Sequence, residues 1–130
     1  MFKEQAINKI TQIADSKYPK INVSAGVCRY NFRCLNNAVH DAINNGDKYI
    51  AMVIYFDKID PIIHFINVDK RYNYTDNTLG QWSQQMDYYF VRLIPKESFW
   101  DTYNIFTAFR LELHRQLPFY MRPFISKEAF

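Results

Sequence analysis

This chain of 130 residues has few glycines and cysteines, a small net charge and no long apolar run. Two cysteines, Cys28 and Cys34, with no signal peptide after Met1, indicate a reducing cytosol and exclude a disulfide framework. The net charge of +3 is too small and too dispersed to imply a nucleic-acid partner. The longest uncharged apolar run, 49–56, is far shorter than the roughly 20 residues of a membrane-spanning helix. We therefore expect a soluble, cytoplasmic protein with no membrane partner.

Aromatic residues are abundant instead, at 18% of the chain with 11 Phe and 10 Tyr. Together with only 3 glycines, they predict a bulky aromatic core and few tight glycine turns. A chain of this length can bury roughly two-thirds of its unfolded surface without help. We expect residues 1–130 to form a single domain.

Apolar periodicity predicts an α+β fold with a small antiparallel sheet. The predicted helices are 2–16, 31–45 and 96–116, and the predicted strands are 49–56, 62–68, 73–76 and 88–94. Tyr18-Pro19 ends the first helix, and Asn45-Gly46 ends the second with a left-handed residue. The segment 21–30 has no clear period and is expected to be loop or short strand. An antiparallel meander is the simplest topology for these strands, with helices flanking it at both ends.

The C-terminal part of the chain is aromatic. An apolar stripe on the last predicted helix is expected to face the core, and it comprises Phe99, Tyr103, Phe106, Phe109, Leu113 and Leu117, with Trp100 also assigned to the core. Pro118 ends the helix. The tail 119–125 is too apolar to be a free terminus, so it either packs back on the domain or contacts another chain, as a homo-oligomer or with another protein.

One cysteine, one histidine and one aspartate follow each other in an order that suits nucleophilic catalysis. Cys34 falls in or near the first turn of the second helix, where unpaired N–H groups and the helix dipole stabilise a thiolate. His64 lies in a predicted strand, and Asp76 follows it by 12 residues, which suits a strand, a turn and a return strand. Both side chains are then expected on one face of the sheet.

Three short motifs carry a family resemblance. They are Cys34 with Asn37-Ala38 after it, His64-Phe65-x-Asn67-x-Asp69, and Asp76-x-Thr78-x-x-Gln81-Trp82. Residues 28–94 thereby resemble the papain-like and transglutaminase-like cysteine enzymes, and more closely their small bacterial and phage members. The resemblance implies a papain/transglutaminase-like fold with Cys34 as nucleophile, His64 as base and Asp76 as the residue that orients the imidazole.

The same resemblance implies a cysteine hydrolase or acyl transferase that needs no metal or organic cofactor. Papain-like proteases place a glutamine before the cysteine as an oxyanion donor. No glutamine lies a few residues before Cys34 in this chain, so Asn31 or the backbone N–H of Cys34 is expected to donate to the oxyanion. Asn37 is expected to brace the loop beside the site, and Gln81 to cap and cover the Asp76 turn with Thr78 and Trp82. Because 130 residues leave little room for a protease groove, a small amide substrate is easier to accommodate than a long peptide, although a protein substrate is another expectation.

Weaker interpretations stay open beside this one. Asn67 is an alternative orienting residue, but its odd spacing from His64 predicts the opposite sheet face. Cys28 is assigned to packing, and a metal site from Cys28, Cys34 and His40 is disfavoured because no compact ligand spacing exists. His40 and His114 are expected at the surface or its boundary.

A binding role is the alternative to catalysis. The segment 29–33 alternates basic and aromatic residues and resembles a nucleic-acid stacking segment, yet it lacks a wider basic surface. The other alternative is a catalytically idle papain-like module that binds a partner through the tail 119–125. In style it resembles a phage-encoded or mobile-element protein that modulates a host factor.

Overall fold

The computed structural model describes residues 2–29 and 33–125. Helices and strands alternate in an order that places most of the sheet in the middle of the chain. The α-helices are α1 (Phe2–Lys17), α2 (Cys34–Asn45) and α3 (Thr102–Arg115). The strands are β1 (Lys20–Ile21), β2 (Val23–Ala25), β3 (Tyr49–Asp57), β4 (Asp60–Val68), β5 (Tyr74–Asp76) and β6 (Asp87–Pro95). Short 3-10 helices occupy Gly80–Gln85, Lys96–Asp101 and Arg122–Phe124.

The six strands form one sheet in the order β1-β6-β3-β4-β5-β2. The expected α+β class is therefore what the structure shows, but the expected antiparallel meander is wrong in two respects. First, β6 pairs with β3 instead of following β5. Second, β2 pairs in parallel with β5, so the sheet is mixed. Local patterns could not reveal either pairing, because both join segments that are distant in sequence.

The long central strand β3 is buried on both faces. On one face Ile50, Met52 and Ile54 join a core cluster to which all three helices contribute. On the other face Ala51 and Val53 pack with a smaller cluster from the neighbouring strands. Two covered faces explain why this segment reads as a continuous apolar run and not as an alternating one.

Helix α2 begins at Cys34, and Gly46 caps its C-terminal end. Gly46 has a φ of +69° and its N–H bonds to the carbonyls of Ala42 and Ile43, which is the predicted left-handed stop. Ala38 and Ala42 bury the inner face of the helix against the core. The outer face carries His40, so α2 is amphipathic as the spacing predicted.

The C-terminal region departs from its predicted helix. Residues Lys96–Asp101 form a 3-10 turn, and only from Thr102 is the chain α-helical. Because the two helix types differ in residues per turn, the apolar stripe shifts at this junction. Trp100 and Tyr103, expected in the core, are 90% and 64% exposed.

The tail after Pro118 packs back on the domain in part. Ile125 is buried in the main cluster, and Met121 packs against it. His114, expected at the surface or its boundary, is buried, and its Nε2 donates to the carbonyl of Ile125 at 3.0 Å. Phe119 remains 79% exposed.

Candidate active site

Cys34 is the first residue of α2, with Arg33 as its N-cap. The His64 imidazole and the backbone N–H groups of Phe65 and Leu35 lie beside the thiol and stabilise its charged form. Because β5 pairs with β4 only at Asn67 and Val68, this edge of β4 is open beside Phe65. Burial raises the pKa of the thiol, but the His64 bond and charge and the two backbone bonds outweigh it and leave the pKa lowered.

His64 on β4 is 3% exposed and binds two other groups of the site. Its Nε2 lies 2.8 Å from Oδ2 of Asp76, and since an ionised carboxylate only accepts, Nε2 carries a proton. Nδ1 is then the ring nitrogen left for Cys34. Burial lowers the pKa of His64, but the bonds and charges of Asp76 and Cys34 reverse this and raise it to about 9.

Asp76 at the end of β5 is fully buried and receives four hydrogen bonds. Oδ2 accepts from His64 and, at 2.5 Å, from the hydroxyl of Tyr88. Oδ1 accepts from the backbone N–H groups of Thr78 and Leu79 at 2.9 and 2.8 Å. Burial raises the pKa of this carboxyl, but these donors and the His64 charge outweigh burial and lower it. The carboxylate is therefore ionised and held in one orientation.

Tyr88 reaches Asp76 across the sheet. It lies on β6, which β3 and β4 separate from β5. Three strand spacings correspond to about 14 Å on a flat sheet, more than the two side chains span, so the bond requires the sheet to curl. Tyr88 is 1% exposed, and burial and the Asp76 charge raise the pKa of its hydroxyl, so it stays a donor.

A second tyrosine confines the imidazole. The Tyr55 ring meets the His64 ring edge-on, with the centroids 4.9 Å apart. Tyr55 also lies opposite Tyr88 in the β3–β6 register. Burial and the nearby negative charges raise the pKa of Tyr55 to about 12, so this ring is a neutral wall beside His64.

The loop after Asp76 is fastened to the segment that precedes α2. The N–H of Arg29 bonds to the carbonyl of Thr78 at 2.8 Å, and Cys28 forms an isolated β-bridge with Leu79. Gly80 is required here, because its φ is +56° and a Cβ would lie 2.7 Å from the Cβ of Cys28. Cys28 thus has the packing role expected of it.

The guanidinium of Arg29 joins this loop to α2. It donates to both carboxylate oxygens of Asp41 at 2.6 and 3.0 Å, and to the carbonyl of Asn77 at 3.0 Å. The charge of the first residue of segment 29–33 is therefore used inside the protein, which weakens the nucleic-acid interpretation of that segment. Its residues 30–32 lie outside the described part of the chain.

Of the residues expected to support Cys34, His64 and Asp76, some lie beside these three and others do not. Asn37 donates to Oγ1 of Thr78 at 2.9 Å and so braces the Asp76 loop as expected. Asn67 donates to the carbonyl of Ala38 in α2 and faces away from His64, as its spacing predicted. Gln81 is exposed in the 3-10 turn that follows Asp76 and does not line the cavities at Cys34. Asn31, the expected oxyanion donor, lies outside the described residues.

The metal interpretation finds no support in the described part of the chain. No three His, Cys, Asp or Glu side chains there are arranged to hold an ion. The side chain of His40 is 69% exposed, at the surface as expected, and it lies next to Asp41.

Two cavities meet at Cys34. The first, which we call the His64 pocket, has a volume of about 380 Å³ and is lined by Cys34, Tyr55, Asp57, Ile62, Ile63, His64, Thr78 and Leu79. The second, which we call the aromatic pocket, has a volume of about 250 Å³ and is lined by Arg33, Cys34, Leu35, Asn36, Ile63, Phe65, Tyr103 and Phe106. A larger cavity of about 480 Å³ between Tyr18 and α3 shares no residue with either and has no cysteine, serine or histidine in its lining.

Sequence reasoning brought together the three residues that the structure also brings together, and it missed the residues that hold them. Tyr88, Tyr55 and the Arg29–Asp41 pair were not predicted for the site. The alternation of β6 places Tyr88 on one face, but only its register with β3 shows that this face is the one that carries His64. The sequence alone contains no signal for that register.

Comparison of the chain with protein-family models, with curated proteins and with solved structures finds no match. Among the described residues, no helix is long and apolar enough to cross a membrane.

Proposed function

We propose that this protein is a cysteine hydrolase or acyl transferase that acts on a carboxamide or thioester-like carbonyl through Cys34, His64 and Asp76. The observation that carries the proposal is that Cys34 and His64 line the same open pocket, while His64 is held from behind by Asp76 at 2.8 Å. This is the nucleophile, base and orienting group that covalent acyl transfer requires.

The charges of the pair favour a reactive resting state. The pKa of Cys34 is lowered, and that of His64 is raised to about 9. Both shifts favour a thiolate beside an imidazolium, with the Asp76 carboxylate behind the imidazolium. A thiolate is the nucleophilic form of cysteine, so this form of the pair is the one that attacks.

The reaction follows from these protonation states. The Cys34 sulfur forms a bond to the carbonyl carbon, and the oxygen takes the electron pair of the C=O bond. The oxygen then re-forms the C=O bond as the C–N bond breaks, and the proton on His64 passes to the leaving nitrogen, so an amine departs and a thioester remains. His64, now neutral, takes a proton from water or an acceptor amine, which attacks the thioester carbonyl. The C–S bond then breaks and the sulfur leaves as a thiolate. The thiolate–imidazolium pair is thereby restored.

The oxyanion has a donor at the start of α2. The N–H of Cys34 belongs to the first helical turn, whose N–H groups have no partner within the helix, and the positive end of the helix dipole lies there. A carbonyl oxygen that develops charge beside the sulfur is within reach of this N–H. The size of the cavities, about 380 and 250 Å³, suits a small amide better than a long peptide.

The test is the pH dependence of alkylation of Cys34 by iodoacetamide, with Cys28 as an internal control. Both cysteines are half-buried, so exposure alone predicts similar rates. We expect the pH midpoint for alkylation of Cys34 to lie well below the pKa of roughly 8.5 that is typical of a free thiol. Cys34 should also be alkylated before Cys28. In His64→Ala the midpoint for Cys34 should rise, because the imidazolium that stabilises the thiolate is gone.

The proposal would be contradicted if both cysteines were alkylated slowly and at equal rates, and if these rates were the same in wild type and in His64→Ala. His64→Ala leaves the buried Asp76 without one donor, so the fold of the variant should be checked by circular dichroism. His64→Gln is a second variant, since glutamine keeps a donor but carries no charge.

A binding function through the tail is the second candidate. Phe119 and Tyr120 are 79% and 48% exposed, and their ring centroids lie 5.8 Å apart, which leaves an aromatic pair on the surface. The double variant Phe119→Ser/Tyr120→Ser removes this pair but keeps Ile125 in the core. A phenotype that survives Cys34→Ala and is lost in this double variant would favour the binding function.

A further inference from the structure

We propose that the aromatic pocket binds the acyl part of the substrate, and that this part is a short aliphatic or a single aromatic group. The leaving group then lies in the His64 pocket. This inference rests on the proposed function, and it adds the class of substrate and the direction in which the substrate lies.

The direction in which the substrate lies follows from the position of His64, which must give its proton to the leaving nitrogen. Cys34 lies on the border between the two pockets and lines both. A carbonyl carbon bonded to its sulfur therefore extends one substituent into each pocket. The leaving nitrogen must reach the proton on His64, and His64 lines only one of the two. The acyl substituent is then directed into the other, which is the aromatic pocket.

The lining of the aromatic pocket selects apolar groups. Five of its side chains are apolar or aromatic, and they are Leu35, Ile63, Phe65, Tyr103 and Phe106. The Phe106 ring lies 6.1 Å from both the Phe65 ring and the Tyr103 ring, so three rings form one wall. An apolar group that enters the pocket is transferred from water to this apolar surface. Burial of each methylene is favourable by about 0.8 kcal/mol.

The size of the pocket limits the length of the group. Its volume of about 250 Å³ is below the roughly 300–1,000 Å³ of pockets that hold drug-sized ligands. One ring or a short chain fits, and a peptide does not. Tyr103 is 64% exposed at the mouth of the pocket, where a bound group would cover it.

A series of p-nitrophenyl esters tests the selectivity of the pocket. The probes are the acetyl, butanoyl, hexanoyl and phenylacetyl esters, and the readout is the second-order rate constant for release of p-nitrophenolate. Each rate is divided by the alkaline hydrolysis rate of the same ester, and the mass of the protein shows whether the acyl group is on Cys34. We expect the corrected rate to rise about two- to fourfold per methylene from acetyl to hexanoyl.

Tyr103→Ala and Trp100→Ala are a matched pair of variants. Both remove an exposed aromatic side chain from the same region, but only Tyr103 lines the pocket. Tyr103→Ala should lower the hexanoyl and phenylacetyl rates several-fold more than the acetyl rate, whereas Trp100→Ala should leave the series as it is. Rates that are equal across the esters, or a Tyr103→Ala effect equal for all of them, would overturn the inference.

A measurement without chemistry separates this inference from the proposed function. In Cys34→Ala, phenylacetamide is titrated and the methyl NMR signals of Leu35 and Ile63 are followed. If no ester acylates Cys34, the proposed function fails, but shifts of both methyl signals that weaken in Tyr103→Ala still support the pocket as an apolar binding site. If phenylacetamide shifts neither signal up to its solubility limit, the pocket proposal is overturned whatever the esters do.

Discussion

Cys34 and Cys28 lie six residues apart and are both half-buried, yet their surroundings differ in kind. Cys34 begins a helix and lines a pocket together with His64, which lowers the pKa of the thiol. Cys28 lies in a β-bridge with Leu79 and packs against the backbone of Gly80. The difference teaches that exposure does not distinguish the two thiols, whereas the helix end and the imidazole beside Cys34 do.

The two buried histidines support the same conclusion. His64 is bonded to a carboxylate and a thiol. His114 donates to the backbone carbonyls of Arg122 and Ile125 and thereby fastens the tail to α3. A buried imidazole is thus a structural anchor beside carbonyls and a candidate base beside charged partners.

The largest expected effect comes from removal of each thiol in turn. Cys34→Ala should reduce turnover of the best p-nitrophenyl ester to the uncatalysed rate, about a thousandfold or more below wild type, because no nucleophile remains. Cys28→Ala should stay within about twofold of wild type. Thermal melts of both variants are the control for folding. Equal losses in the two variants would remove the distinction between the cysteines.

The carboxylate behind His64 gives the next effect. Four donors converge on Asp76, and an amide in Asp76→Asn supplies only one acceptor oxygen for them. The imidazolium loses its counter-charge, so we expect the ratio of Cys34 to Cys28 alkylation at pH 6.5 to fall about ten- to a hundredfold. Asp87→Asn is the control, because this carboxylate is exposed and pairs with Lys20 at the far edge of the sheet.

An unchanged ratio in Asp76→Asn would show that His64 activates Cys34 without the carboxylate. A loss of reactivity at both cysteines, with a lower melting temperature, would instead indicate damage to the fold.

The proton on His64 should be visible in the pH profile of turnover. Below the lowered pKa of Cys34 the thiol is protonated, and above about pH 9 the imidazolium is lost. A p-nitroanilide needs that proton on its leaving nitrogen, so its rate should fall again near pH 9 and give a bell-shaped profile. The p-nitrophenyl ester with the same acyl group has a leaving group that needs no proton, and its rate should show the acidic limb only. Two bell-shaped profiles with the same alkaline limb would contradict the assignment of His64 as the acid.

The part of the site that was predictable from sequence is the part set by local periodicity. The apolar spacing of 35, 38, 39, 42 and 43, with the stop at Gly46, predicted a helix over 31–45 with Cys34 in or near its first turn. In the structure α2 begins at Cys34, and Ile43 is exposed. The 12-residue spacing of His64 and Asp76 crosses one turn between neighbouring strands, so both fall on one face.

The part that could not be predicted depends on contacts between distant segments. The position of β6 beside β3, the parallel β2–β5 pair and the shift of the stripe at Thr102 all follow from packing, for which propensity is a weak guide. Tyr88 was therefore assigned to a strand but not to the site. The papain/transglutaminase-like topology stays a prediction.

Tyr88 and Tyr89 provide the finest comparison, because adjacent hydroxyls donate to different carboxylates. Tyr88 donates to buried Asp76 at 2.5 Å, and Tyr89 donates to exposed Asp15 at 2.6 Å. Tyr88→Phe should lower the free energy of unfolding in urea by about 1.5–3 kcal/mol, the usual range for a hydrogen bond to a charged group, and Tyr89→Phe by less than about 0.5 kcal/mol.

Tyr88→Phe should also move the alkaline limb of the anilide profile to higher pH. The carboxylate that loses one donor attracts the His64 proton more strongly, so the pKa of His64 rises further above about 9. Tyr89→Phe should leave the limb where it is, since Asp15 lies on α1 and does not line either pocket at Cys34. A limb that moves to lower pH in Tyr88→Phe would show that the hydroxyl acts mainly by holding Asp76 in the position from which it orients His64.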